Sequence, residues 1–253
     1  MHKAYIENLP IGLWRNQGQL LAELVPGPGN CIPAFVIAIN AEKVVRARKD
    51  RAFGALMASG SHLYPDGIGV VWVLRIAGYQ VSRIAGADLW LALMKRAEQH
   101  KLRVFLVGGR PEVLDRTVSK LLVVCPSLEI VGARDGYSDP DLAANLKKEI
   151  ELANPHIVTV GLGTPLQEQL IQKLWIENPT RCYMGVGGTY DAFTGVVQRA
   201  PLWIQRAGLE WLYRLIREPS RAGRQKAILQ FAGAVIIRRI RAVSAVDPSA
   251  NQP

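Results

Sequence analysis

The sequence predicts an α/β fold: a Rossmann-like, mostly parallel β-sheet with helices on both faces, followed by a helical C-terminal appendage. Two observations lead to this prediction. Between Phe35 and Gly188, short β-prone runs that end in glycine or a polar residue alternate with longer amphipathic stretches, which is the pattern of βα units. After Gly195 the alternation stops, and helix-forming stretches rich in aromatic residues and arginine take its place.

The predicted elements follow one another in strict alternation. The clearest strands are Phe35–Asn40, Arg103–Gly109, Leu128–Gly132, His156–Gly163 and Arg181–Gly188. The helices between them are Ala41–Ser59, Ala87–His100, Pro111–Val124, Asp141–Ala153 and Pro165–Glu177. Because open α/β sheets bind ligands beyond the carboxyl ends of their strands, we expect the functional site at that edge.

The size and composition of the chain fit a folded domain. Its 253 residues are enough for one large α/β domain with a full hydrophobic core. With 49% hydrophobic and 21% charged residues, the composition excludes an integral membrane protein and a largely disordered chain. We expect 1–197 to form the α/β domain that carries the site, 198–243 a basic helical appendage that associates with membranes, and 244–253 a disordered tail.

The cysteines and the N-terminal residues indicate a reducing compartment. Cys31, Cys125 and Cys182 are far apart in the sequence and lie in apolar or strand-like surroundings. That spacing favours buried reduced thiols over disulfides or metal ligands. The first residues include no apolar core with a small-residue cleavage site, as a secretory signal would. We therefore expect a cytoplasmic protein.

Most of the net charge of +10 lies in the C-terminal part. Helices are predicted there over Trp203–Arg217 and Arg224–Arg241. The run Ala227–Ile237 is apolar apart from Gln230, but it is shorter than the roughly 20 residues that span a bilayer. Two interpretations stay open for its basic flanks. The helix lies on an anionic membrane surface, at the inner face of the cytoplasmic membrane, or it packs on the core with a solvated basic rim.

The carboxylate of Asp66 lies in a predicted turn. The glycines that follow it allow close approach to the backbone. The run is Tyr64-Pro65-Asp66-Gly67-Ile68-Gly69, and an apolar helix is predicted to begin there. A general base needs such an exposed yet anchored position. The alternative is that Asp66 only caps the following helix, as aspartate often does.

Two strands of the predicted sheet end in glycine turns that lead into helices. They are Gly161-Leu162-Gly163-Thr164-Pro165-Leu166-Gln167-Glu168 and, one strand later, Gly185-Val186-Gly187-Gly188-Thr189-Tyr190-Asp191. Backbone N–H groups at the start of a helix bind phosphate groups. Neither run matches the dinucleotide fingerprint or the P-loop. Two such turns at successive strand ends indicate a cleft for a nucleotide diphosphate.

The sequence contains one formal match to a metal-binding Asp-x-Asp pair, Asp139-Pro140-Asp141. Asp139 followed by Pro140 is also typical of a helix N-cap with proline at the first helical position, and we favour that interpretation. The four histidines are dispersed, and no Gly-x-Ser-x-Gly elbow of a serine hydrolase is present. We expect no metal, so arginines and helix N-termini would have to neutralise a departing diphosphate.

Taken in order, eight runs of the sequence resemble the WecG/TagA/CpsF glycosyltransferases, glycosyltransferase family 26, from about Phe35 to Arg224. They are Ala38–Lys43, Pro65–Val71, Arg83–Leu89, Val104–Gly109, Asp135–Tyr137, Gly163–Glu168, Gly185–Gly195 and Gly208–Leu215. The resemblance implies an inverting, metal-independent transferase without a cofactor. It would move a sugar from a UDP-sugar to undecaprenyl-diphosphate-linked GlcNAc, as in the synthesis of surface polysaccharides.

The resemblance also assigns roles to residues. Asp66 is similar in position to the family's proposed base, with Asn40, Arg83 and Gln167 as further active-site polar groups and Arg83 placed for the acceptor diphosphate. The positions that resemble the UDP pocket are Tyr137, Gly163, Gly187, Gly188 and Asp191. The appendage arginines expected to close over the site at the membrane are Arg214, Arg221 and Arg224.

The donor sugar is suggested by one departure within the family. Where the teichoic-acid branch has Thr-x-Asn, this chain has Ala38-Ile39-Asn40, and the run Ala38–Lys43 is similar to the enterobacterial common antigen enzyme, which transfers N-acetylmannosaminuronic acid. A uronate brings an extra carboxylate, for which Lys43 is a candidate partner. Lys43 could equally be a solvated helix residue.

Other functions remain open. One alternative is another UDP-sugar, N-acetylmannosamine or glucose, in teichoic acid or exopolysaccharide synthesis. A remote alternative is a non-catalytic nucleotide- or nucleic-acid-binding protein that uses the basic tail. Trp203, Trp211 and Tyr213 lie among its arginines, but no nucleic-acid-binding motif is recognised, so we expect no nucleic acid partner. A homo-oligomer is compatible with the sequence.

Overall fold

The computed structural model describes residues 2–139, 141–201, 203–204, 210, 212–213, 230–235, 237 and 242–244. Within these residues nine strands form one sheet. They are β1 (Lys3–Ile6), β2 (Leu9–Gly12), β3 (Ala34–Ile39), β4 (His62–Pro65), β5 (Arg103–Gly108), β6 (Glu129–Arg134), β7 (Ile157–Gly161), β8 (Cys182–Gly185) and β9 (Ala242–Ser244). Their order across the sheet is β6-β5-β7-β8-β3-β4-β2-β1-β9.

Helices connect most of the strands. They are α1 (Gln17–Leu24), α2 (Ala41–Lys49), α3 (Arg51–Ala58), α4 (Ile68–Ile76), α5 (Gly86–Gln99), α6 (Pro111–Val124), α7 (Leu142–Ala153), α8 (Leu166–Glu177) and α9 (Thr189–Thr194). The chain is also helical at 230–235.

The sheet is mostly parallel, as predicted. Strands β2 to β8 pair in parallel, whereas β1 runs antiparallel to both β2 and β9. Helices α2, α3, α4, α7 and α8 bury apolar side chains on one face, and α1, α5, α6 and α9 do so on the other. The predicted α/β architecture with helices on both faces is therefore confirmed.

The five predicted strands all form, within a few residues of the predicted bounds. One helix differs: the predicted Ala41–Ser59 is two helices, because the chain leaves helical geometry at Asp50 and the Asp50 carboxylate caps α3 by accepting from the N–H of Phe53. The short strands β1, β2, β4 and β9 were not predicted, and β9 lies where the sequence predicts the end of the helical appendage and the start of the disordered tail. Runs of four residues have too little hydrophobic periodicity to be recognised without their partners.

The C-terminal part is described only in pieces. Phe231, in the helical stretch 230–235, is buried in the core of the α2–α4 side, and a Cβ on Gly69 would lie 3.0 Å from its ring. This contact fits the core-packed interpretation of the second appendage helix. Ser244, the first residue of the predicted disordered tail, pairs with Ala4 in the sheet, and the rest of that tail lies outside the described residues.

No helix among the described residues is both long enough and apolar enough to cross a membrane. The three cysteines carry free thiols, and Cys125 and Cys182 are buried as predicted, whereas Cys31 is only half-buried. Although distant in sequence, Cys31 and Cys182 are neighbours in the fold: a hydrogen bond between the Cys182 thiol and Cys31, together with burial, raises the pKa of Cys182.

Candidate active site

The polar residues predicted for the site come together at one edge of the sheet. Strands β3, β4, β7 and β8 are parallel, so their carboxyl ends lie side by side. The neighbouring strands β5 and β7 are followed by helices on opposite faces, α6 and α8. This is a switch point of the topology, where open α/β sheets form their ligand-binding crevice.

Asp66 is anchored to the strand beside it. It follows the last residue of β4, and its N–H donates to the carbonyl of Ile39 at 3.0 Å. The N-cap residue of α4 is Gly67, and no side chain caps that helix. Instead, Oδ1 of Asp66 accepts from the N–H of Gly86 at 3.3 Å, at the start of α5. The capping alternative thus applies to a helix twenty residues later in the chain.

Arg83 links Asp66 to the appendage. Its Nε donates to the main-chain carbonyl of Asp66 at 2.7 Å, and Nη2 lies 3.9 Å from Asp66 Oδ1. Nη2 also donates to Glu210 Oε2 at 2.9 Å. Glu210 is buried and belongs to the segment predicted as the appendage. That segment therefore contacts the site directly.

Asn40 lies at the end of β3, beside Asp66. Its Oδ1 accepts from the N–H of Lys43 at 3.0 Å, which makes it the N-cap of α2. A Cβ on Gly67 would lie 3.0 Å from the Cβ of Asn40, so the two strand-end turns are packed against each other. Asn40 and Asp66 thus occupy adjacent corners of one crevice.

Gln167 joins the two glycine turns. Its side chain is buried, and Oε1 accepts from the N–H of Gly187 at 2.7 Å. Its own N–H donates to the carbonyl of Gly163. The N–H of Gly187 is therefore occupied within the protein, which corrects the expectation that this turn presents it to a diphosphate. Gly187 has a φ of +53°, which glycine adopts readily.

Lys43 is not a solvated helix residue, because only 6% of it is exposed. Its Nζ donates to Glu168 Oε1 at 2.8 Å and to the carbonyl of Ala38 at 2.9 Å. Burial alone would raise the pKa of Glu168, but the Lys43 ammonium, together with hydrogen bonds from Gln167 and Thr164, lowers it overall. The ammonium is already neutralised, so the geometry gives no support to Lys43 as the partner of a donor carboxylate.

The remaining predicted pocket residues lie along the same edge. Tyr137 is 62% exposed, in a turn whose Gly136 donates to the carbonyl of Gly109 at the end of β5. Gly163, with a φ of +74°, precedes α8. Gly188 is the N-cap of α9, and Asp191 lies in its first turn. The structure therefore brings the whole set to the ends of β5 to β8.

Four residues of the site were not predicted from the sequence. Glu168 and Glu210 pair with Lys43 and Arg83. The hydrogen bond from Arg199 to Asp88 raises the pKa of Arg199. The negative charges of Asp88, Glu210 and Asp66 raise it further, so Arg199 lies within electrostatic reach of Asp66 and Glu210. Tyr64 is buried, and its pKa is raised well above its ordinary value by burial and by the charges of Asp66 and Glu168. Of these four, only Glu168 and Glu210 lie in runs that resemble the family, Gly163–Glu168 and Gly208–Leu215.

Asp139 does not form the predicted N-cap of α7. The N-cap position of α7 is Asp141, without a side-chain hydrogen bond. The Asp139 carboxylate accepts from the N–H of Asp141, from Asn145 and from Arg134. Pro140 lies outside the described residues. In the described part of the chain, no group of three or more acidic, histidine or cysteine side chains is arranged to hold a metal.

Arg214, Arg221 and Arg224, predicted to close over the site, lie outside the described residues.

Comparison with protein families identifies the chain. The sequence model of the glycosyl transferase WecG/TagA/CpsF family matches residues 17–245. The match runs from α1 to β9 and includes every residue of the crevice described above. The chain therefore belongs to the WecG/TagA/CpsF family of glycosyltransferases.

Proposed function

We propose that this glycosyltransferase moves a sugar with inversion from a UDP donor to undecaprenyl-diphosphate-linked GlcNAc, with Asp66 as the general base. The observation that carries the proposal is the anchoring of Asp66. Its main chain is held by Ile39 and Arg83, and its carboxylate lies at the start of α5. A positioned carboxylate of this kind can take a proton from a hydroxyl that attacks an electrophile.

In the proposed reaction, Asp66 accepts the proton of the acceptor hydroxyl as that oxygen bonds to the anomeric carbon. The bond from the anomeric carbon to the donor phosphate breaks, and UDP leaves from the opposite face with the bonding electron pair. The hydroxyl becomes strongly acidic only as the new bond forms, so an ionised carboxylate suffices as its base. No metal or other cofactor enters this proposal.

Charge at the crevice supports an anionic substrate pair. Arg83 contacts Asp66 while pairing with Glu210, and the proposal places the acceptor diphosphate against the guanidinium of Arg83. The N-terminus of α8, which follows Gly163, suits the donor diphosphate. The departing UDP would gain from the same groups as its charge develops.

For the donor we propose UDP-N-acetylmannosaminuronic acid. Support comes from the similarity of the run Ala38–Lys43 to the enzyme of enterobacterial common antigen synthesis, and the buried Lys43–Glu168 pair adds nothing to it. Offering a panel of UDP-sugars with a GlcNAc-diphosphate-lipid analogue, followed by mass spectrometry of the product, tests this choice. Exclusive transfer of N-acetylmannosamine or glucose would show that the proposed donor is wrong.

The base assignment is tested by Asp66→Asn. This substitution keeps the side-chain oxygen that accepts from Gly86 but removes the proton acceptor. We expect UDP binding to be retained and turnover to fall by roughly 100-fold or more. Asp115→Asn, at an exposed carboxylate on α6, is the matched control and should leave turnover unchanged. Turnover of Asp66→Asn near that of the wild type would refute the assignment.

A further inference from the structure

Helix α4 presents an apolar stripe on the protein surface. Trp72 is 60% exposed and Ile76 is 78% exposed. Together with the half-buried Ile68 they follow the spacing i, i+4, i+8, so they line one face of the helix. The opposite face of α4 is buried in the core through Val70, Val71, Val73 and Leu74. Ile68 packs against the core, whereas Trp72 and Ile76 take no part in it.

A basic depression adjoins the end of this stripe. Two overlapping open cavities, of about 520 and 740 Å³, share Arg15 and the turn 78–80 that follows α4. Arg75 lines the first cavity, and His2 and Lys3 line the second. Among the described residues that line either cavity none is acidic. An exposed tryptophan and isoleucine thus lie next to a cavity whose charge is only positive.

This combination fits the surface of an anionic bilayer. Tryptophan prefers the boundary between headgroups and acyl chains, and isoleucine gains from entering the acyl region. Cationic side chains beside them attract anionic headgroups. An acidic protein partner would match the charge, but it offers less to a protruding aromatic and aliphatic pair than a bilayer does.

The stripe also has a definite relation to the site. Ile68 begins α4 two residues after Asp66, and the nine residues of α4 extend about 13 Å from there. Gly69, which lies beside the stripe on α4, packs against Phe231 of the stretch 230–235. A bilayer that contacts Trp72 and Ile76 would therefore pass close to the mouth of the crevice.

We infer that the exposed face of α4, with the depression lined by Lys3, Arg15 and Arg75, is a docking surface for anionic phospholipid membranes. It belongs to the α/β domain and acts in addition to the C-terminal appendage. If the proposed function holds, this surface keeps the lipid chain of the acceptor in the bilayer while its diphosphate sugar reaches Asp66. Membrane docking itself does not depend on which sugar is transferred.

The first test uses tryptophan fluorescence of the full chain with vesicles that contain phosphatidylglycerol and brominated phosphatidylcholine, whose bromine quenches tryptophan in contact with acyl chains. We expect the vesicles to quench the tryptophan fluorescence of the wild type, and the loss of fluorescence to be smaller for Trp72→Phe. Trp203→Phe is the comparison, since Trp203 is an appendage tryptophan that is 70% exposed. If Trp72→Phe is quenched as strongly as the wild type, α4 does not reach the bilayer and the inference is overturned.

The second test measures partitioning by vesicle flotation. Trp72→Ala combined with Ile76→Ser should weaken binding to phosphatidylglycerol vesicles by about tenfold or more. Arg15→Gln should weaken it about fivefold, the effect of roughly 1 kcal/mol per charge. The controls lie on α6, on the opposite face of the sheet: Val123→Ser for the apolar change and Arg116→Gln for the charge, both expected to bind like the wild type.

Three results would overturn the inference: no binding of the wild type to anionic vesicles, equal binding to pure phosphatidylcholine, or unchanged partitioning of the Trp72/Ile76 variant. A dimer in the wild type that becomes a monomer in this variant would also overturn it, since a second copy would then cover the stripe. Thermal unfolding verifies that each variant folds. Sugar transfer to a water-soluble acceptor analogue should be the same for the docking variants and the wild type. A wild type that transfers no sugar to this analogue would contradict the proposed function and leave the docking result unaffected.

Discussion

Arg83 holds Asp66 by its main chain more closely than by its charge: Nε lies 2.7 Å from the Asp66 carbonyl oxygen, whereas Nη2 lies 3.9 Å from the carboxylate. The same Nη2 donates to Glu210 at 2.9 Å. The planar guanidinium therefore spans a strand-end turn of the α/β domain and a buried carboxylate of the C-terminal segment. Arg83 thus connects the turn that carries Asp66 to the C-terminal segment.

Arg83→Lys should impair turnover although the charge is kept. A lysine has one ammonium group in place of the guanidinium fork, so it cannot bind the Asp66 carbonyl and Glu210 with the same geometry. We expect kcat to fall by about 10- to 100-fold, the scale of a misplaced catalytic group. Steady-state kinetics with a short-chain acceptor measures it, and Arg116→Lys on α6 should behave like the wild type. Unchanged kcat in Arg83→Lys would show that the charge alone is needed.

Gly185→Ala should weaken donor binding. A Cβ at this position would lie 2.7 Å from Gln167 Nε2, so the Gln167 side chain must move and its hydrogen bond to the N–H of Gly187 must lengthen or break. A lost buried hydrogen bond costs about 1–3 kcal/mol. Gly187 and Gly188 belong to the predicted UDP pocket, so the loosened turn should bind the donor less well, and we expect the KM for the UDP-sugar to rise about tenfold, as measured by initial rates.

The control for this change is Gly27→Ala, because a Cβ there has no heavy atom within 4 Å and φ is not positive. Its KM should equal that of the wild type. Equal donor KM values for Gly185→Ala and Gly27→Ala would contradict a role for the Gln167–Gly187 hydrogen bond in donor binding.

Glu168→Gln should remove a pH-dependent part of the stability. The Lys43 ammonium and two hydrogen bonds overcome burial and lower the pKa of Glu168. A carboxylate whose pKa is lowered by folding stabilises the protein above its unfolded-state pKa of about 4.3, and this contribution is lost as the pH falls through the folded-state pKa. Near pH 7 the variant leaves a buried ammonium unpaired, at a cost of about 3–5 kcal/mol.

Urea unfolding at pH 7 and at acid pH measures the effect. The difference in unfolding free energy between the wild type and Glu168→Gln should be large at pH 7 and shrink below about pH 4. Glu177→Gln, which removes an exposed partner of Lys147, should change stability little at either pH. A difference for Glu168→Gln that stays constant with pH would mean that the ion pair does not produce it.

Local patterns were sufficient for the repeating part of the fold. Strands such as β5 and β7 are apolar runs that end in glycine, and helices such as α6 have their own hydrophobic period, so each signal lies within one short segment. The four-residue strand β4 lacks such a signal, because its identity depends on pairing with β2 and β3, which are distant in the sequence. The break at Asp50 was missed because neither glycine nor proline marks it in the sequence.

The sequence by itself determined the α/β fold, the edge of the sheet that carries the site, and the family, because these follow from short-range periodicity, glycine turns and ordered motifs. Only the tertiary structure decided which charges meet. Lys43 pairs with Glu168 across 125 residues, and Arg83 with Glu210 across 127. A buried charge needs a partner, but no local pattern indicates which distant residue provides it. For that reason Lys43, a candidate for the substrate in the sequence, is an internal ion pair in the fold.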